Sequence, residues 1–136
     1  METQLAYLAG IFDGEGTVTL VKVSKDSEFR YPLLSVSNTE RVLLEPFREL
    51  FGGAISTKKT YQENHKTSYH WKVEYTRALE AMSLLVPFIR HPEKKARVKL
   101  LLAEWASVTP RNGKYTDEIK AQKLDLQERF FHPSTS

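Results

Sequence analysis

The chain has no cysteine, which excludes a disulfide framework, a thiolate-bound metal such as a zinc finger, and any chemistry with a thiol nucleophile. A reducing compartment is compatible with that lack. No apolar run is long enough to cross a bilayer, so no membrane partner is expected. Met1-Glu2-Thr3-Gln4 carries neither the basic start of a secretory signal nor the arginine-rich pattern of a transit peptide. The protein is therefore expected to act inside the cell where it is made, in cytoplasm, nucleoid or organelle alike. A large excess of one charge is missing too: 20 Lys and Arg against 17 Asp and Glu leave a net +3, with pI ≈ 9.1. Many proteins share so mild a surplus, and its distribution says more than its total. There is no internal repeat, low-complexity tract or linker. What remains, 40% hydrophobic and 27% charged residues at a mean hydropathy of −0.45, is the make-up of an ordinary globular domain. One domain over residues 1–131, with a frayed tail at 132–136, is expected from a chain of 136.

The densest pattern lies near the start. With Thr3 as N-cap, Leu5, Leu8, Ile11 and Phe12 form an apolar stripe at helical spacing. Ala6, Gly10 and Gly14 recur every fourth residue on another face. Glycine inside a helix costs about 1 kcal/mol relative to alanine, so two in one row call for a backbone packed closely against them. Asp13 and Glu15 fall in the last turn, where the macrodipole disfavours negative charge, and Gly16 stops the helix. Carboxylates set against that preference point to a cation.

The stretch Leu8-Ala9-Gly10-Ile11-Phe12-Asp13-Gly14-Glu15-Gly16 resembles the LAGLIDADG motif of homing endonucleases. Leu8, Ala9, Gly10, Asp13 and Gly16 are identical to the motif; Ile11, Phe12 and Gly14 are common variants; Glu15 stands where the family usually has aspartate. The resemblance implies that Glu15 is the metal-binding carboxylate, that the Gly14 carbonyl helps to coordinate, and that Asp13 is mainly structural. It also implies that the Ala6, Gly10, Asp13 and Gly14 face pairs two such helices, so that one motif per chain makes a homodimer.

Beyond the motif, 17–23 and 31–37 read as a hairpin with a long polar connection. Asn38-Thr39 caps a helix carrying Leu43, Leu44, Phe47, Leu50 and Phe51, ended by Gly52-Gly53, in which Pro46 should kink the helix or split off its first turn. Residues 54–61 and 68–75 read as a second pair of strands. A helix from Thr76 runs up to Pro87, Pro92 opens another, and Thr116-Asp117-Glu118 caps a last one to about Phe130. This αββαββα order with trailing helices predicts an α+β chain and matches what the resemblance requires, a saddle-shaped antiparallel sheet backed by helices.

Basic residues gather in two places. Five Lys and Arg against Glu63 and Glu74 give +3 over residues 58–77, and five against Glu93 give +4 over 90–99. In the family, a polar residue that orders water falls near Asn38 and a lysine that screens the scissile phosphate falls near Lys94 or Lys95, with Arg41 and Arg90 as weaker candidates. Asn38 also reads as a plain helix cap, and a charge run is commonly a solvated face. Strand alternation separates His70, Lys72 and Glu74 from Tyr69, Trp71, Val73 and Tyr75. The polar set, with Thr17, Thr19, Ser56, Lys58 and Lys66, then offers side chains to the major groove, although a hairpin sheet with one wet face alternates in the same way.

The expected function is a homodimeric, Mg²⁺-dependent endonuclease of the LAGLIDADG homing class, encoded in an intron and cutting both strands of a long pseudo-palindromic DNA target. Mn²⁺ should substitute for Mg²⁺, and Ca²⁺ should bind without cleavage. The alternative is a non-cleaving RNA maturase or DNA-binding regulator of the same fold; a small basic scaffold without nucleic acid is a third.

Overall fold

The computed structural model describes residues 1–58 and 67–133, with side chains for all of these but Lys58. It opens with α1 (Glu2–Glu15), which buries Leu5, Leu8, Ala9 and Phe12. Thr3 is not its cap. The helix starts one residue earlier, at Glu2 with Met1 as N-cap and no side-chain bond, and the Glu2 carboxylate supplies the negative charge that the first turn favours. Phe12 is fully buried, and truncation to alanine would cost about 3–5 kcal/mol.

The chain turns from helix to strand without a loop. Strand β1 (Gly16–Lys22) pairs antiparallel with β2 (Arg30–Asn38), with Val18 opposite Leu34 and Leu20 opposite Pro32. After β2, Pro46 splits the expected helix: a 3-10 turn, Arg41–Leu43, precedes α2 (Glu45–Phe51), where Pro46 sits in the first turn and its missing N–H costs nothing. Gly52 and Gly53 then take φ of 81° and 85°, the left-handed region open to glycine. A Cβ on Gly53 would also overlap the Lys72 carbonyl.

Strands β3 (Ala54–Lys58) and β4 (Ser68–Glu74) complete one four-stranded antiparallel sheet in the order β1-β2-β4-β3. Tyr75, expected at the end of β4, instead begins α3 (Tyr75–Leu85) with φ 57°. Next come a turn at Val86–Phe88, α4 (Pro92–Glu104), a turn at Ala106–Val108, and α5 (Asp117–Phe131). Pro92 and Thr116 play the parts expected of them: Pro92 opens α4, and the Thr116 hydroxyl accepts the Ile119 N–H at 3.1 Å. Residues 59–61 of the expected strand, Lys66, and the last residues of the expected tail lie outside the described residues.

Strand alternation sends Val18, Leu20, Leu34, Val36, Trp71 and Val73 to the helix side, where all are buried. Trp71 packs between Phe47 and Phe51, with ring centroids at 4.9 and 6.1 Å, and donates its indole N–H to the Gly52 carbonyl at 2.9 Å. One face of the sheet is thereby sealed by helices. The other is left open.

Candidate functional site

Two regions converge where α1 ends and β1 begins. The α1 terminus is fastened to the start of α4 on its inner side. Both carboxylate oxygens of Asp13 accept the Arg90 N–H at 3.1 Å, and one also accepts the His91 N–H at 3.1 Å. In return Lys94 reaches across, its Nζ donating to the carbonyls of Phe12 at 3.1 Å and Asp13 at 2.8 Å. The Phe12 carbonyl also accepts the Gly16 N–H, the last carbonyls of a helix otherwise lack intrahelical partners, and a cation there is favoured by the macrodipole. The His91 Nδ1 caps α4 by accepting the Lys94 N–H at 3.2 Å. Gly16 owes its place here to space, since its φ of −94° is open to any residue but a Cβ would overlap the Phe12 ring.

On its outer side the same turn is bare. Glu15 is exposed and makes no hydrogen bond or ion pair with another described residue. Ala6, Gly10 and Gly14 are exposed as well, and a Cβ added to either glycine meets nothing within 4 Å. No contact among the described residues therefore requires glycine at those positions. Lys95 joins Ala6, Gly10 and Asp13 in lining a concavity of about 430 Å³ between α1 and residues 87–90, which neither Gly14 nor Glu15 lines. A smaller cleft of about 240 Å³ lies between the start of β1 and α4, lined by Gly16, Thr17, His91 and Lys94. A larger concavity, about 700 Å³, is remote from both, between the β1–β2 hairpin and α5.

The basic run at 90–99 is thus divided by the fold. Lys94 is engaged internally, Arg97 pairs with Glu93 at 3.3 Å and lies 5.0 Å from the Phe130 ring, and Lys95 borders the concavity between α1 and residues 87–90. Asn38 ends β2, where its Oδ1 accepts the Glu40 N–H at 2.8 Å. It therefore shapes the turn toward Arg41–Leu43, and α2 begins only at Glu45 with Leu44 as N-cap. The Asn38 amide nitrogen bonds to no other described residue. Arg41 is held by Glu45 at 3.5 Å.

The register gathers the polar strand residues on the open face. Across it, Thr17 stands opposite Ser35, Ser35 opposite Lys72, and Lys72 opposite Ala54. Ser37, His70 and Ser56 form a second row, with Ser37 Oγ and His70 Nδ1 2.6 Å apart. Thr19 belongs to a third row with Leu33 and Glu74. Lys58 continues the parity of Ser56 and pairs with Ser68. Lys72 is exposed and lies 3.3 Å from Glu74.

Sequence reasoning missed one feature of this face. The left-handed φ of 57° at Tyr75, uncommon for an aromatic residue, lays its half-exposed ring on Tyr31 at 4.5 Å and 13° between planes. Alternation assigned Tyr75 to the buried side, and no residue type announces a backbone reversal. The α1 cap by Lys94 was also missed, because its partners are main-chain carbonyls 81 and 82 positions away.

The sequence matches the family model of the LAGLIDADG-like domain over residues 2–86. No curated protein matches it significantly. Among solved structures, the chain is similar to the homing endonuclease I-CvuI in complex with its target and Ca, at 18% identity and TM-score 0.74, covering 99% of this chain and 84% of that one. It is also similar to the archaeal intron-encoded homing endonuclease I-Vdi141I complexed with DNA, at 16% identity and TM-score 0.61, covering 99% and 86%. A third likeness is to the group I intron-encoded homing endonuclease I-CeuI complexed with DNA, at 17% identity and TM-score 0.67, covering 96% and 67%. At these identities the structures establish the αββαββα fold. The family match, which spans more than half of the chain and begins with the helix that carries Asp13 and Glu15, shows that the protein belongs to the LAGLIDADG-like family.

Proposed function

We propose that two copies of this chain pair through the Ala6, Gly10 and Gly14 face of α1 and act as a divalent-metal-dependent, site-specific double-strand DNA endonuclease of the homing class. The observation that carries this reading is the bare outer side of the α1 terminus: a carboxylate with no partner among the described residues, next to glycines that no described contact explains.

The donor set fits a shared metal. No group of three or more His, Asp or Glu side chains able to hold an ion occurs among the described residues, so one chain offers Glu15 and the neighbouring Gly14 carbonyl. Mg²⁺ accepts few protein oxygens and takes the rest from phosphate and water. Two Glu15 carboxylates brought together by a two-fold axis would repel each other unless a cation lay between them. Bound there, Mg²⁺ or Mn²⁺ would supply charge neutralisation at the phosphate and a nucleophile at neutral pH, whereas Ca²⁺ would support binding without cleavage.

The chain's own residues do the rest. Asp13 and Lys94 fix the turn that carries Glu15 while taking no part in the chemistry through Asp13's carboxylate, which is already spent. Lys95 is the better placed of the two lysines to screen a phosphate, since the Lys94 ammonium is committed to α1. The amide nitrogen of Asn38, unbonded among the described residues, is available to orient water. The open face reads the target through Thr17, Thr19, Ser56, His70 and Lys72, with Lys58 and Lys66 adding charge. A dimer presents this face to two half-sites, hence a long pseudo-palindrome.

Glutamate in place of the usual aspartate favours one alternative, a non-cleaving RNA maturase or DNA-binding regulator. Incubating the wild type with supercoiled plasmid carrying a candidate insertion site, in Mg²⁺, Ca²⁺ or EDTA, separates the two. Linear product in Mg²⁺ alone supports the endonuclease; retention of DNA without cutting in either Mg²⁺ or Mn²⁺ supports the alternative.

A further inference from the structure

We infer that α5 braces the far end of the β1–β2 hairpin, and that Gln127 is the positioning residue through which it sets recognition of the outer part of the DNA half-site. The recognition half of this inference rests on the DNA reading above. β1 leaves the α1 terminus at Gly16 and runs seven residues, so its far end lies about 20 Å away, roughly six base-pair steps along a duplex. A two-stranded ribbon extending that far is only marginally ordered by itself. Here it is held.

Gln127 is 7% exposed, and both ends of its amide are spent on hairpin backbone. Its Oε1 accepts the Arg30 N–H at 3.0 Å, and its Nε2 donates to the Glu28 carbonyl at 3.0 Å. Those two groups flank Phe29, so the side chain grips the main chain on either side of one residue. A buried amide is costly unless donor and acceptor are both satisfied, and packing alone would be served by an apolar residue. Glutamine suits this place because the strand end needs one donor and one acceptor at fixed positions.

Contacts to the same three residues reinforce the grip. The Phe29 ring lies 4.6 Å from that of Tyr115 and 5.2 Å from Lys123 Nζ. Lys123 is 4% exposed with no carboxylate in ion-pair range among the described residues; its ammonium sits 4.4 Å from the Trp105 ring and donates to the Tyr115 hydroxyl at 2.7 Å. Lys120 pairs with the Glu28 carboxylate at 3.1 Å. The Arg30 guanidinium lies 4.9 Å from the Phe131 ring. Val21 and Tyr31, opposite each other on the open face, follow directly on the braced residues, so a shift of Arg30 is passed to the outermost side chains able to face DNA. All of α5 lies beyond residue 86, where the family match ends.

Gln127→Met keeps length and burial while removing both bonds; Gln127→Glu keeps only the acceptor. Two readouts are taken on the full chain: hydrogen exchange at the Arg30 amide without DNA, and the base preferences selected from a pool of random-sequence duplexes. Gln127→Met should exchange Arg30 at least about tenfold faster, Gln127→Glu should fall between it and wild type, and Gln127→Met should lose preference at the outer base pairs of each half-site while keeping it near the centre. Unchanged Arg30 exchange in both variants overturns the brace. A profile that is intact, or weakened evenly from centre to edge, overturns its role in recognition. If Gln127→Met does not fold, Gln127→Glu carries the same comparison. A wild type that enriches no sequence overturns the DNA reading and the recognition half with it, while the Arg30 amide still decides the brace.

Discussion

Asp13 and Glu15 stand two residues apart at the end of one helix and have opposite surroundings. Asp13 faces inward and is saturated by main-chain N–H groups of Arg90 and His91, with Lys94 closing the carbonyls around it. Glu15 faces outward beside exposed glycines and has no partner among the described residues. The inner side is explained by folding. The outer side is not explained by contacts among the described residues, and the proposed pairing and metal would account for two interior glycines at about 1 kcal/mol each and a carboxylate against the helix dipole.

The sharpest way to break that contrast is to fill the outer side. A Cβ at Gly10 meets nothing within 4 Å among the described residues, and Gly10→Leu improves helix propensity by roughly 0.8 kcal/mol, so its melting temperature should not fall. In sedimentation it should be monomeric at micromolar concentrations at which the wild type is dimeric. A monomeric wild type that still cuts both strands would contradict the pairing.

Disturbing the inner side should cost folding instead. Asp13→Ala removes a charged acceptor of two N–H groups and should lower stability by about 1.5–3 kcal/mol in denaturant unfolding. Lys94→Met, which uncaps α1, should cost about 1–2 kcal/mol. If Lys94→Met left stability unchanged yet abolished cleavage, Lys94 would belong to the chemistry and the division between the two sides would fail.

A smaller effect is expected on the open face. Lys72→Ala should reduce the salt slope of log K for DNA by roughly 1 if the ammonium meets phosphate, or relax preference at one position if it reads a base. The smallest concerns the strap between α4 and α5, where Arg129 grips Glu104 at 2.6 and 2.8 Å. Hydrogen bonding from Arg129 lowers the Glu104 pKa. Its contribution is complete at neutral pH, declines as pH falls through the ordinary carboxylate range, and is gone below the lowered value. With the pair about two-fifths exposed, solvent screening limits it to ~1 kcal/mol. Glu104→Gln should therefore lower stability slightly at pH 7 and not at pH 2.

How far the sequence could be read follows from the kind of signal each element carries. Pro46, Gly52-Gly53, Pro92 and Thr116 act on their own backbone, and each ended or began an element as local rules require. The motif, the αββαββα order and the open-face rows were legible because period and register are local as well. Thr3 misled because Glu2 starts the helix without a cap, and Tyr75 because residue type does not encode a reversed φ. Lys94 and Gln127 were opaque for a different reason. Both bond to main-chain atoms more than 80 positions away, where the partner's identity leaves no trace in the pattern.

The central claim is that Glu15 is a functional carboxylate and not a solvated helix end, and Glu15→Gln tests it most directly. The change is nearly isosteric at an exposed position, so unfolding free energy should stay within about 0.5 kcal/mol of wild type. Cleavage in Mg²⁺ should fall by about three orders of magnitude or more, while gel-shift binding of the same target in Ca²⁺ is retained. Cleavage by Glu15→Gln at the wild-type rate would contradict the account.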